Sequence, residues 1–174
     1  MAKKTKKKYV VAEVILIILI IACIGCYISF AVFKNNLFIP DYAPGVIDKN
    51  AVKEEESSED KNTSKNSGSV SLRFSDVVIV NKKEKKAKLY FKNPGTSTEN
   101  ILLYLIIRQN DKEMILGQSD LIPAGYAIYE MTLDDVAALP VGGYEGVLKS
   151  IYYNENTNAR EIIDSEINVN IEVK

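Results

Sequence analysis

The chain has 174 residues, with 22 Lys and Arg against 23 Asp and Glu, two Cys, and neither His nor Trp. That length allows one ordinary domain plus a smaller element. The lack of His excludes Ser-His-Asp and Cys-His nucleophile systems and every His-ligated metal site, and a formal net charge of −1 gives no overall attraction for nucleic acid.

Charge is unevenly placed along the chain. Residues 1–8 form a basic tip carrying Lys3, Lys4, Lys6, Lys7 and Lys8. Residues 10–33 follow with a single charge, Glu13. As a helix this run is about 36 Å long at ~1.5 Å per residue, more than a hydrocarbon core of roughly 30 Å. It predicts one transmembrane helix over 9–34. Glu13 lies one turn inside the basic end, within reach of headgroups, Lys7 or Lys8. Five lysines before the run and Lys34 after it place the N-terminus in the cytoplasm. Everything beyond is then extracytoplasmic, on a single-pass protein of the cell membrane whose bilayer is one partner. Three alternatives stand beside this reading. They are a cleaved signal peptide ending near Ser29-Phe30-Ala31, a lipoprotein lipidated at Cys23 of the run Ile20-Ile21-Ala22-Cys23, and a buried soluble helix. Cys23 and Cys26 have C-x-x-C spacing, but both lie in the apolar run with no further ligand type nearby. Residues 70–174 contain no Cys. Such a domain folds without disulfides, which suits a Gram-positive cell surface better than a eukaryotic secreted module.

Residues 35–69 read as a juxtamembrane segment and an acidic linker. Residues 37–44 keep apolar and aromatic side chains and two prolines, as a segment lying along a membrane surface would. Residues 53–68 contain no apolar side chain and predict disorder. Asn62-Thr63-Ser64 is a glycosylation sequon by pattern alone.

From residue 70 the apolar period becomes two. Strands are predicted over 70–74, 77–80, 87–92, 101–109, 113–117, 126–133, 144–153 and 160–173, separated by turn signals such as Asn93-Pro94-Gly95 and the run 154–158. Seven or eight short antiparallel strands with no long helical pattern predict an all-β, immunoglobulin-like β-sandwich over 70–174. In the last strand Ile163, Ser165, Ile167, Val169, Ile171 and Val173 share one face. Leu139-Pro140-Val141-Gly142-Gly143-Tyr144 has the form of a tyrosine corner, with Tyr144 as the structural residue and residues 134–139 as a short helical turn before it.

Lysine tip, single span, Pro40-Asp41-Tyr42-Ala43-Pro44 juncture, acidic linker and small β-domain follow one another in a familiar order. With Lys92-Asn93-Pro94-Gly95 and residues 139–144, this layout resembles uncharacterised single-span, membrane-anchored Ig-like surface proteins of Gram-positive bacteria. The resemblance implies a tethered surface domain and no known activity.

No constellation for chemistry emerges, so the catalytic, cofactor-binding and metal-ligating sets are empty and the chain reads as no enzyme. Asp134-Asp135 lacks a cleft and reads as a helix cap. Asn154, Glu155, Asn156 and Asn158 have too few carboxylates for a calcium loop. The basic run at Lys82, Lys83, Lys85, Lys86 and Lys88 reads as a solvated turn protecting a strand edge, with anionic surface polymers or headgroups as the other reading. It lacks the interleaved aromatics of a single-strand nucleic-acid platform. No phosphate-binding or nucleophile-elbow motif occurs.

One strand is anomalous. Residues 101–107 are apolar on both faces, whereas a sandwich strand buries one. If Tyr144, Leu148 and Tyr152 point inward, then Val147, Lys149, Ile151 and Tyr153 point outward. Beside them Leu102, Tyr104, Ile106 and Arg108 complete an outward apolar patch. It is either a surface for a protein partner or a face covered by the chain's own linker or an edge loop. The function expected is therefore a binding or assembly module at the cell surface. The alternative is an accessory subunit of a membrane machine for secretion, conjugation or envelope assembly, recruited through its transmembrane helix.

Overall fold

A computed structural model describes residues 18–20, 37–55, 72–109, 112–134 and 136–174. The basic tip, most of the expected span, the charged stretch 56–71 and Asp135 lie outside the described residues. Ile18, Leu19 and Ile20 are helical and more than half exposed. Among the described residues no helix is long and apolar enough to cross a membrane.

The fold is all-β. Among the described residues nine strands run in chain order as β1 (Ala51–Lys53), β2 (Arg73–Phe74), β3 (Val77–Asn81), β4 (Lys86–Lys92), β5 (Glu99–Gln109), β6 (Lys112–Ile122), β7 (Tyr126–Thr132), β8 (Gly142–Asn154) and β9 (Arg160–Val173). They form one curled sheet in the order β1-β7-β4-β3-β9-β8-β5-β6, with β2 added beside β4. The expected purely antiparallel pairing is corrected at one place. β3 lies parallel to β9, with Val77 opposite Asn170 and Val80 opposite Val173. The whole domain separates these two strands in sequence, so the long connection that a parallel pair needs is supplied by the fold itself. Curling brings β6 back to β7. The Asp134 amide donates to the Leu116 carbonyl at 2.9 Å, and a Cβ at Gly117 would stand 2.6 Å from the Thr132 carbonyl oxygen.

The core follows the alternation of the strands. Ala87, Leu89 and Phe91 from β4, Ile101, Leu103, Leu105 and Ile107 from β5, Leu148 and Tyr152 from β8, and Val169, Ile171 and Val173 from β9 pack into one buried cluster. Tyr144 and Ile167 pack against it. Ile163 departs from this pattern and is largely exposed. The β8–β9 register slips there, with Ile151 opposite Asp164 but Tyr153 opposite Arg160. Residues 161–163 therefore bulge out of the ladder.

Two further expectations change. The short helical turn expected over 134–139 is reduced, among the described residues, to a single turn in which Leu139 donates its amide to the Val136 carbonyl at 3.2 Å, and both side chains are buried. The compact unit also begins at Phe38 rather than at residue 70, extending to Lys174. Residues 38–55 supply a strap and a strand to the domain. Apolar Val46, Ile47 and Val52, spaced among polar residues, are the sequence counterpart of this segment.

Candidate interaction surface

The strap's path is defined by its hydrogen bonds. The Phe38 carbonyl accepts the Tyr104 hydroxyl at 2.9 Å, and the Pro40 carbonyl accepts the Tyr153 hydroxyl at 3.0 Å. Asp41 accepts the Arg160 amide at 2.9 Å, and the Ala43 amide donates to Asn158 at 2.8 Å. After Pro44 and Gly45 the chain returns. Val46 accepts the Leu121 amide at 3.1 Å, and the Asp48 amide donates to the Leu121 carbonyl at 2.8 Å. The buried Asp48 carboxylate ends the strap by accepting the amides of Asn50 at 2.8 Å and Asp120 at 2.9 Å. β1 then pairs with β7 on the other half of the sheet.

This path bears directly on the outward patch read from the sequence. Strand parity is as expected, and register places the patch residues together: Leu102 opposite Ile151, Tyr104 opposite Lys149, Ile106 opposite Val147 and Asn100 opposite Tyr153. Open exposure is corrected. Leu102, Tyr104, Ile106, Val147, Ile151 and Tyr153 are all buried, yet none belongs to the central cluster. Carbonyls of the strap close on the two tyrosine hydroxyls, and burial pushes the Tyr104 phenol up to about 12. Burial also raises Tyr153.

Arg108 and Lys149 remain at the wet end of this face, in an ion network. Arg108 bonds Glu166 at 2.6 Å and Glu113 at 2.8 Å, and Lys149 bonds Glu166 at 3.1 Å. The hydrogen bond from Arg108, and then that from Lys149, holds the Glu166 carboxyl below its ordinary value.

The other face carries what the sequence reading missed. On β1, β3 and β4 the residues opposite in parity to the core are Val52, Val77, Ile79 and Tyr90, and on β7 Tyr129 turns outward between the core residues Ile128 and Met131, where the β4–β7 register shifts. They line one open groove with Lys88 and Glu130. Val52, Val77 and Tyr129 are about half exposed. The Tyr90 and Tyr129 rings stand 5.5 Å apart, tilted by 45°. Both hydroxyls donate to Glu54, Tyr90 at 3.1 Å. Glu54 also faces the buried Lys92 ammonium at 3.4 Å. The Tyr129 hydrogen bond, above all, lowers the Glu54 carboxyl, while burial and the Glu54 charge push Tyr90 up to about 12. The signal for this groove lay in residues 77–80, apolar at both parities, and in Tyr90 alternating out of step with the core, whereas Tyr129 shares the parity of core Met131 and is turned outward by a register shift that pattern does not reveal.

Remaining sequence features are structural. Tyr144 donates its hydroxyl to the Pro140 carbonyl, four residues upstream, at 2.8 Å. Asn81 and Asn154 accept amides of their own hairpin turns, from Lys83 at 3.0 Å and Asn156 at 3.0 Å. Lys86 of the basic run pairs with Glu130 at 2.6 Å. Asn93, fully buried, ties three loops by donating to the carbonyls of Glu99 at 2.8 Å and Ile122 at 2.9 Å and its own amide to Tyr126 at 2.9 Å. Among the described residues no group of three or more Cys, Asp or Glu is placed to hold a metal ion.

No family model matches the sequence, and no curated protein matches it. Among solved structures, the chain is similar to AggA, the major subunit of aggregative adherence fimbriae type I from Escherichia coli. The identity is 8% and the TM-score 0.34, over 61% of this chain and 95% of that one. A likeness this distant carries no argument about function.

Proposed function

We propose that the chain is a non-catalytic, single-span protein of the cell surface, with a cytoplasmic N-terminus and an immunoglobulin-like extracytoplasmic domain that acts as a binding or assembly module. The immunoglobulin-like reading is supported by the way the curled sheet divides. β3, β4 and β7 make one half, and β9, β8, β5 and β6 the other, with β3 adjoining both. Such a division is what an immunoglobulin-like reading expects, together with a penultimate strand that opens with a tyrosine bonded a few residues upstream. Tyr144 at the start of β8 meets that description.

The observation that carries the binding function is the open groove of Val52, Val77, Ile79, Tyr90 and Tyr129. Both hydroxyls of its aromatic pair bond Glu54, and Tyr is a characteristic interface anchor. The groove is preferred to the β5–β8 face as the partner surface because the apolar residues of that face are already buried.

A photo-crosslinking amino acid placed at Val52 or Val77 in cells is expected to give the same protein adduct from both positions. Val52→Lys with Val77→Lys should abolish an adduct reported from Ile79, while changing stability by no more than ~0.5 kcal/mol, as surface substitutions do. Adducts arising only from the Arg108 and Lys149 end would overturn the assignment.

A further inference from the structure

The domain begins at Phe38, and the apolar run of the sequence ends at Phe33. Five residues fully extended span at most about 18 Å. A compact domain the size of Phe38–Lys174 is roughly 37 Å across. If residues 9–34 span the bilayer, a tether this short keeps Phe38 within about 18 Å of the membrane surface.

The side of the domain at Phe38 carries an unusual set of side chains. Phe38 is 80% exposed, Tyr42 68%, Ile162 98% and Ile163 75%. Tyr42 and Ile162 are neighbours, with Phe38 four residues before the first on the strap and Ile163 directly after the second. Tyr42 bridges to Ala159, and Tyr42 and Ile162 line one depression. The bulge at 161–163 is what places two successive isoleucines outside the ladder, where an unbulged strand would turn one of them inward.

We infer that Phe38, Tyr42, Ile162 and Ile163 insert into the boundary between headgroups and acyl chains, so that the domain rests on its own membrane. This rests on the single-span reading of residues 9–34. Tyr and Phe beside aliphatic side chains match the chemistry of that boundary, where an aromatic ring keeps an apolar body and, in Tyr, a polar tip. The docked domain leaves the opposite end of β8, at Val141, in water.

The test uses the full-length chain in phosphatidylcholine–phosphatidylglycerol vesicles, with Cys23→Ala and Cys26→Ala. A single cysteine at Ile162→Cys, or at Val141→Cys for comparison, carries an environment-sensitive fluorophore. Nitroxide-bearing lipid is expected to quench the label at 162 at least threefold more than that at 141, and aqueous iodide to quench it at least threefold less. If the chain resists alkaline extraction but iodide quenches both labels alike, the membrane contact is wrong and the span stands. Shielding at 162 from both quenchers indicates a protein contact, which also overturns it. Release of the chain by alkaline extraction refutes the span reading and this inference with it.

Discussion

Lys92 is almost fully buried, and a buried ammonium is costly unless paired. Its partner Glu54 comes from a segment that the sequence presents as the start of a charged linker. Composition alone cannot reveal such a pair, because it forms between residues far apart in sequence, one just past β1 and the other at the end of β4. Glu54→Gln keeps the shape and removes the charge; it is expected to cost roughly 1.5–3 kcal/mol, the range for hydrogen bonds to charged groups. The pH dependence has a definite sign. The folded Glu54 carboxyl lies below its ordinary value of 4.5, so its contribution is complete above that value and is lost as pH falls through the lower folded one. Urea titrations between pH 3 and 6 should show this component in the parent protein and not in Glu54→Gln. Tyr144 is the opposite case, legible because Pro, two Gly and Tyr sit within six residues. Tyr144→Phe is expected to cost about 0.5–1.5 kcal/mol, one net hydrogen bond, and a loss below error in the same titrations would show that the corner is held by other contacts.

Strand β5 shows how much of an element can be read and where reading stops. Its two-sided apolarity announces burial on both faces, and the parity of β8 follows from placing Tyr144 inward. What covers the second face depends on where 38–48 goes, and that segment has no strand period to declare its course. Tyr104→Ser with Tyr153→Ser therefore tests burial. On an open surface the pair would shift stability by ~0.5 kcal/mol. Beneath the strap the expected loss is several kcal/mol, since deleting a buried aromatic costs about 3–5, and hydrogen exchange of the Arg160 and Leu121 amides should accelerate with it. Gly146 in β8 is likewise invisible to pattern. A Cβ there would lie 2.2 Å from Ile171 Cδ1 and 3.0 Å from the Ile106 carbonyl oxygen. Gly146→Ala should cost about 1–3 kcal/mol through overpacking, read from the urea midpoint. An unchanged midpoint would mean that β8 and β9 are less closely packed than the contacts imply.

For the whole molecule, the period of two and the regular turns made the all-β class legible. The boundary of the domain was not, because polar residues between 41 and 55 conceal an extended segment whose few apolar side chains and backbone groups find partners only after folding. The parallel β3–β9 pair was also hidden, since period two is common to both strand orientations. Residues 38–55 are part of the fold, closing on Tyr104 and Tyr153 of the β5–β8 face and adding β1 beside β7; the proposed partner surface lies on the β1-β7-β4-β3 face. Uncovering even Leu102, Tyr104, Ile151 and Tyr153, at roughly 1.5–3 kcal/mol per fully buried apolar side chain, rivals a typical total stability of about 5–15 kcal/mol. The most direct measurement compares thermal unfolding of two fragments, 38–174 and 70–174. The first should melt in one cooperative transition, and the second should show no such transition or one lower by well over 10 °C. Equal midpoints would contradict the account and return 38–55 to the role of a linker.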